Sequence, residues 1–127
     1  MMAPNWVEDT IRQFARDANF DDLTLSPQGV AAIRFENGIV LRFEYFDSRL
    51  VISASIACAN DERNARRILA FSHPAAMGEF RIRSGYLAKT GRAIFVVMLE
   101  EREVSLPALN GAFTALWKTA LEIGGSM

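Results

Sequence analysis

The hydrophobic positions change their spacing several times along the chain, and each change marks a new element. Between residues 5 and 19, Val7, Ile11, Phe14, Ala15 and Ala18 recur at three- and four-residue intervals. That spacing gathers side chains on one face of an α-helix. Arg12, Gln13, Arg16 and Asp17 fall on the opposite face, Trp6 stands at the entrance, and Asn19 suits a stop. Asn5 is a candidate N-cap, with Glu8 three residues on to complete a capping box. From Leu23 to Ala57 the period falls to two, the mark of strands whose alternate side chains face opposite ways. Leu23-Thr24-Leu25 reads as a short strand closed by the turn Ser26-Pro27-Gln28-Gly29. Residues 30–36 set Ala31, Ile33 and Phe35 against Arg34 and Glu36, and Asn37-Gly38 then gives a strong hairpin signal. Ile39, Leu41, Phe43 and Tyr45 alternate with Arg42 and Glu44. Asp47-Ser48 turns the chain again, and Leu50, Ile52, Ala54 and Ile56 alternate with Ser53 and Ser55.

Helical spacing returns over residues 61–72, where Ala65, Ile68, Leu69 and Phe71 or Ser72 share a side and Arg63, Arg66 and Arg67 crowd the start. Pro74 limits this helix, because the residue before a proline disfavours the helical conformation, and Ser72 to Gly78 reads as a loop. Phe80, Ile82, Ser84 and Tyr86 then alternate with Arg81 and Arg83 as a strand. After Thr90-Gly91, residues 93–99 are apolar on both faces, which predicts a strand covered on both sides by a helix, a second subunit or a partner. Ser105 can cap a last helix with Pro107 in its first turn. Leu106, Leu109, Phe113, Leu116, Trp117 and Ala120 form its wide apolar face, and Gly124-Gly125 ends it. The class is therefore α+β: helix, antiparallel strand meander, helix, two strands, helix, with one sheet of five to six strands and three helices. Residues 1–127 read as a single domain, since no linker, repeat or low-complexity tract interrupts them.

Composition excludes several functions. A formal net charge of −1 gives no basic surplus for nucleic acid. No apolar run approaches the roughly 18 residues that a membrane span needs. The start, Met1-Met2-Ala3-Pro4-Asn5, lacks the basic and apolar regions of a signal peptide. One cysteine, Cys58, fits a reducing compartment, so a cytoplasmic location is expected. Candidate chemistry is thin. His73 is the only histidine, and no Cys or His pair stands at metal-ligand spacing. Cys58 sits in Ala57-Cys58-Ala59, an apolar setting that suits an inert thiol. Gly85, Gly91 and Gly111 do not make a phosphate-cradling loop. Asp21-Asp22 and Glu100-Glu101 could in principle run acid–base chemistry but suit solvated strand ends. The arginines at 63, 66 and 67 could grip an acidic partner, or simply form a solvated helix face. No enzyme, cofactor or metal is expected.

What the sequence has in excess is apolar surface. Val40, Phe46, Val51, Ile94, Val96 and Met98 fall opposite the main alternation of their strands. Either they fill sheet edges and support a loop, or they form an exposed patch that marks an interface. A homodimer, an added strand or a docked helix would cover such a patch.

In the order and spacing of these elements the chain resembles the class I chaperones of bacterial type III secretion, a virulence system. The likeness runs from Trp6 to about Ile123. An amphipathic first helix leads into Phe20-Asp21-Asp22-Leu23-Thr24-Leu25-Ser26-Pro27-Gln28-Gly29, followed by the hairpin of Gly38 to Ala57. The middle helix of Ala65 to Phe71 and the leucine-rich closing helix of Leu106 to Trp117 complete the match. The resemblance implies a cytoplasmic homodimer, or a heterodimer with a second small chaperone. Such a dimer holds an unfolded N-terminal segment of a secreted client and keeps it export-competent, without nucleotide or metal. It implies a dimer interface at Ile68, Leu69, Phe71, Phe80, Ile82 and Tyr86, and client-binding patches at Trp6, Phe14, Val40, Phe46 and Val51. The 14 basic residues and pI of about 5.8 depart from the strongly acidic character of many such chaperones. The client is then either an effector or a component of the secretion apparatus. The alternative is a non-catalytic regulatory or sensory protein-binding module of the same architecture.

Overall fold

The computed structural model describes residues 3–20, 23–71 and 80–124. The first helix, α1 (Asn5–Asp17), is capped by Pro4 in an extended conformation, and the amides of Val7 and Glu8 donate to the Pro4 carbonyl. Asn5 is thus the first helical residue and no side chain caps this end; the expected capping box does not form. Glu8 still sits in the first turn, where a carboxylate favours the positive end of the helix dipole. Asn19 takes a φ of 61°, and the Phe20 amide reaches back to the Ala15 carbonyl at 2.8 Å, which closes the helix.

Five strands follow: β1 (Val30–Arg34), β2 (Val40–Phe46), β3 (Arg49–Ala57), β4 (Arg83–Leu87) and β5 (Arg92–Glu100). They form one antiparallel sheet in the order β1-β2-β3-β5-β4, so β1 and β4 are its edges. The expected strand at Leu23–Leu25 is absent from the ladder. Instead the Ser26 amide bonds the Val30 carbonyl and the Gly29 amide bonds that of Ser26, so the chain folds into a tight turn. Gly29 is required there. Its φ is +80°, and a Cβ would stand 2.6 Å from the Tyr45 carbonyl oxygen. Asp47 and Ser48, with φ of 51° and 57°, make the two-residue β2–β3 hairpin, both in the left-handed region that a type I′ turn demands. Residues 80–82 approach the sheet but do not join it, and β4 starts at Arg83 opposite Val96.

Helix α2 (Glu62–Phe71) connects β3 to the far edge strand β4. Asp61 caps it by accepting from the Asn64 amide at 2.8 Å, and the Asn64 side chain donates to the Ala59 carbonyl at 3.0 Å. A 3-10 turn at Glu101–Glu103 leads into α3 (Leu106–Gly124), capped as expected by the Ser105 hydroxyl on the Ala108 amide.

All three helices pack on one face of the sheet. Leu41, Phe43, Leu50, Ile52, Ala93 and Phe95 from the strands meet Val7, Ile11 and Phe14 of α1 and Leu109, Leu116 and Ala120 of α3. Ile68 anchors α2 to the same core. Gly111, in the middle of α3, has a packing reason: a Cβ would lie 2.6 Å from the Phe80 ring. Within this chain β5 is covered on one side, which leaves a second subunit or a partner as the expected cover for the other. Its Ala93, Phe95, Val97 and Leu99 are buried, but no described element covers Ile94, Val96 and Met98. Three helices fill one side of a five-stranded sheet and have no length left for the other.

Candidate partner-binding surfaces

The uncovered sheet face is built by strand register. Val51 lies opposite Met98 and Glu44, Ser53 opposite Val96 and Arg42, and Ser55 opposite Ile94 and Val40. Cross-strand partners share a face, so Ile94, Val96 and Met98 form an aliphatic ridge along β5 beside the small side chains of Ser53 and Ser55. Met98 is 44% and Phe46 47% exposed, high values for apolar side chains of this size. Charged groups ring the ridge. Arg42 pairs with Glu44 at 3.6 Å and Arg49 with Glu100 at 3.5 Å. Arg92 lies down on the sheet, donating to the Ser55 hydroxyl at 3.1 Å and the Gly38 carbonyl at 2.7 Å. A depression of about 220 Å³ at the β4 side is lined by Arg81, Arg83, Val96, Met98, Glu100 and Glu103.

The second surface is the edge made by α2 and β4. Leu69 projects outward from α2 and is 67% exposed. Phe80 and Ile82 are partly buried against α3 and line a cleft of about 420 Å³ with Asn110, Gly111, Thr114, Ala115 and Lys118. Tyr86 points to the helix side, and its hydroxyl donates to the Cys58 carbonyl at 3.1 Å.

The structure therefore divides the residues marked for the dimer and the client. Val40, Phe46 and Val51 share the open face, with Val40 and Phe46 at opposite ends of β2. Trp6 is 46% exposed but belongs to α1, in the helix layer on the opposite side. Phe14 is not a surface residue: it is fully buried, with ring centroids 5.8 Å from Phe43 and 5.6 Å from Phe113. Its helical position marked it as apolar, but burial depends on what the helix meets. Ile68, for the same reason, belongs to the core and leaves Leu69 as the outward residue of α2. Phe71 ends α2, and its side chain lies outside the described residues. Leu87 and Leu121, 43% and 44% exposed, are apolar surface that the sequence analysis did not single out. Leu121 carries no distinguishing signal, since it follows the apolar face of α3 in sequence.

Among the described residues the candidate chemical groups are not assembled. Burial above all pushes the Cys58 thiol upward, with Asp61 adding to the rise and Arg67 opposing it, so it is held as the unreactive thiol. Its hydrogen-bond partner is the Ala59 carbonyl. Glu101 accepts from the Tyr45 hydroxyl at 2.7 Å, and Glu100 faces Arg49. His73 and Asp21-Asp22 lie outside the described residues. Among the described residues no group of three or more His, Cys, Asp or Glu could hold a metal, and no helix is long and apolar enough to cross a membrane.

The Tyr45–Glu101 bond has a measurable consequence. That bond chiefly, then burial and the Glu101 charge, raises the Tyr45 phenol above its ordinary value of 10.0. A raised folded value means that the unfolded chain loses this proton first. The contribution to stability is therefore complete below about pH 10 and falls as pH climbs through the folded value. Denaturant titrations between pH 8 and 11 should show a steeper alkaline loss in the native chain than in Tyr45→Phe. At neutral pH the variant should be about 1–2 kcal/mol less stable.

A sequence-family model for the type III secretory system chaperone SycN matches residues 6–124, nearly the whole chain. The chain belongs to the SycN family of type III secretion chaperones. No curated protein sequence matches it significantly. Among solved structures, a chain of the ExsC–ExsE complex superposes with a TM-score of 0.76 at 18% identity, covering 94% of this chaperone and 92% of that chain. A chain of the HopA1–SchA chaperone–effector complex gives 0.74 at 14% identity, covering 98% and 99%. YbjN of E. coli, a putative transcription regulator, gives 0.61 at 12% identity, covering 91% and 87%. At such identities the structures speak for the fold, which a different kind of protein also uses; the family match identifies the chain as a SycN-family chaperone.

Proposed function

We propose that this chaperone acts in the cytoplasm as a non-catalytic homodimer. It holds an extended N-terminal segment of a secreted client against the open sheet face and keeps that segment unfolded for export. One observation carries this reading: an aliphatic ridge of Ile94, Val96 and Met98, with Val51 and Phe46 nearby, that no described part of the chain covers. Each apolar side chain taken out of water contributes about 1.5–3 kcal/mol, so a few client anchors suffice for stable holding. The HopA1–SchA structure is of a chaperone–effector complex with this fold, which supports an effector-holding role for this chain. The α2–β4 edge, with Leu69 outward and β4 unpaired on one side, is the proposed contact between protomers. The buried, proton-retaining Cys58 favours a passive mechanism over a thiol-based one.

The test is capture from the native host with a tagged chain. Bound proteins would be identified by mass spectrometry and the mass of the complex read by light scattering. The expected species is two copies of the chain with one secreted protein, protected from protease only near its N-terminus. A monomer without a protein partner would overturn the reading. A folded partner with no newly ordered segment would point to a regulatory module instead.

A further inference from the structure

The charge of the open sheet face differs from that of the chain as a whole. It carries six of the 14 basic residues, Arg34, Arg42, Arg49, Arg81, Arg83 and Arg92, against three carboxylates, Glu44, Glu100 and Glu103. Over the paired strand positions and the lining of the β4-side depression, six against three is a formal +3 on a chain whose total is −1; Glu36, in the turn after Arg34, lies outside that set. Two of the guanidinium groups are neutralised by Glu44 and Glu100, and Arg92 is bound to Ser55 and the Gly38 carbonyl. Arg81 and Arg83 at one margin, and Arg34 at the other, have no ion-pair partner among the described residues. Between these margins lie Val96, Ile94 and Met98.

We infer that the client segment covering this face is acidic as well as aliphatic. This rests on the chaperone reading and narrows the class of client it can hold. Aliphatic side chains would pack on the β5 ridge, and carboxylates would meet Arg83 and Arg81 on the β4 side and Arg34 on the β1 side. From β1 to β4 is four strand spacings, about 19 Å, which an extended stretch of about six residues spans. The face therefore fits a segment with acidic residues at either end of a short aliphatic run. A second copy of the chain is a poor occupant, because it would set one +3 face against another. Nucleic acid is disfavoured as well: the centre is aliphatic rather than a stacking surface, and three carboxylates would face the phosphates.

The experiment uses the full chain and two fluorescent 16-residue peptides with identical aliphatic positions, one carrying Glu and the other Lys at the remaining sites. Anisotropy titrations at low salt should show the Glu peptide binding at least about ten-fold tighter, the size of one good charge contact. At 0.5 M salt that advantage should shrink. The double variant Arg81→Glu, Arg83→Glu should reverse the preference. Both side chains are exposed, so a thermal melt should match that of the native chain. Arg34→Glu, on the other edge, should halve the preference or more. Equal binding of the two peptides, no binding of either, or an unaltered preference in the variants overturns the inference. So does displacement of the Glu peptide by a 20-nucleotide single strand. If client capture succeeds while the peptides do not discriminate, only the acidic character is wrong. If no client is captured, the chaperone reading itself has failed.

Discussion

Phe14→Ala is expected to remove about 3–5 kcal/mol of unfolding free energy, which is a large share of the 5–15 kcal/mol that holds a typical domain together. The ring is wholly buried, and three other rings surround it: Phe20, Phe43 and Phe113, at centroid distances of 5.9, 5.8 and 5.6 Å. Truncation would leave a cavity at the point where α1, α3 and the sheet meet, and none of those elements can close it without abandoning its other contacts. The melting temperature should fall by about 10–20 °C. Phe14→Leu, which keeps most of the volume, should cost much less, about 1–1.5 kcal/mol. This pair also separates core from interface. The folded Phe14→Leu protein should capture its client like the native chain, because Phe14 offers nothing to a partner. Phe46→Ala should behave in the opposite way, with an unchanged melt and weaker capture. If Phe14→Leu lost the client while retaining its fold, Phe14 would have to become exposed in the complex.

The second large effect is expected at Leu69. It is 67% exposed on α2, beside the edge strand β4, whereas its neighbour Ile68 is turned into the core. In a two-fold dimer formed through this edge, each Leu69 would be buried by the other protomer, and Leu69→Asp would bury two carboxylates without partners. Dissociation should become at least about 100-fold easier, equivalent to about 2.7 kcal/mol. Sedimentation or light scattering at micromolar concentration should then show a monomer whose circular dichroism is unchanged. An intact dimer in the variant would place the protomer contact elsewhere, with Trp6 or Leu121 as the next exposed apolar candidates.

How much of this was legible in the sequence varies from element to element. The two-residue alternation of Ile39 to Tyr45 and Leu50 to Ile56 gave the core faces of β2 and β3 correctly, since any other register would put those side chains in water. Ser105 was visible as a cap because capping is a local hydrogen bond. Leu23–Leu25 misled, because strand composition does not supply a neighbouring strand to pair with. Asn5 misled in a similar way: Pro4 holds the position that its side chain would have capped. The parity of their strands was enough to assign Val40, Phe46 and Val51 to the sheet face opposite the core. Phe14 and Ile68 were misplaced because helical spacing gives the apolar side of a helix but not whether that side is covered.

The sequence by itself determined the local periods, most of the turns, the Ser105 cap and the α+β order. These depend on neighbours within a few residues, where sterics and hydrogen bonding are set by the chain itself. The tertiary structure alone decided that all three helices share one side of the sheet, so that no described element lies over Ile94, Val96 and Met98. It also decided that six arginines from β1, β2, β3, β5 and the β4 edge gather on that open side. A net charge of −1 hides such a patch, because a sum over the chain carries no information about position. Residues from Arg34 to Arg92 become neighbours only through strand pairing across the sheet.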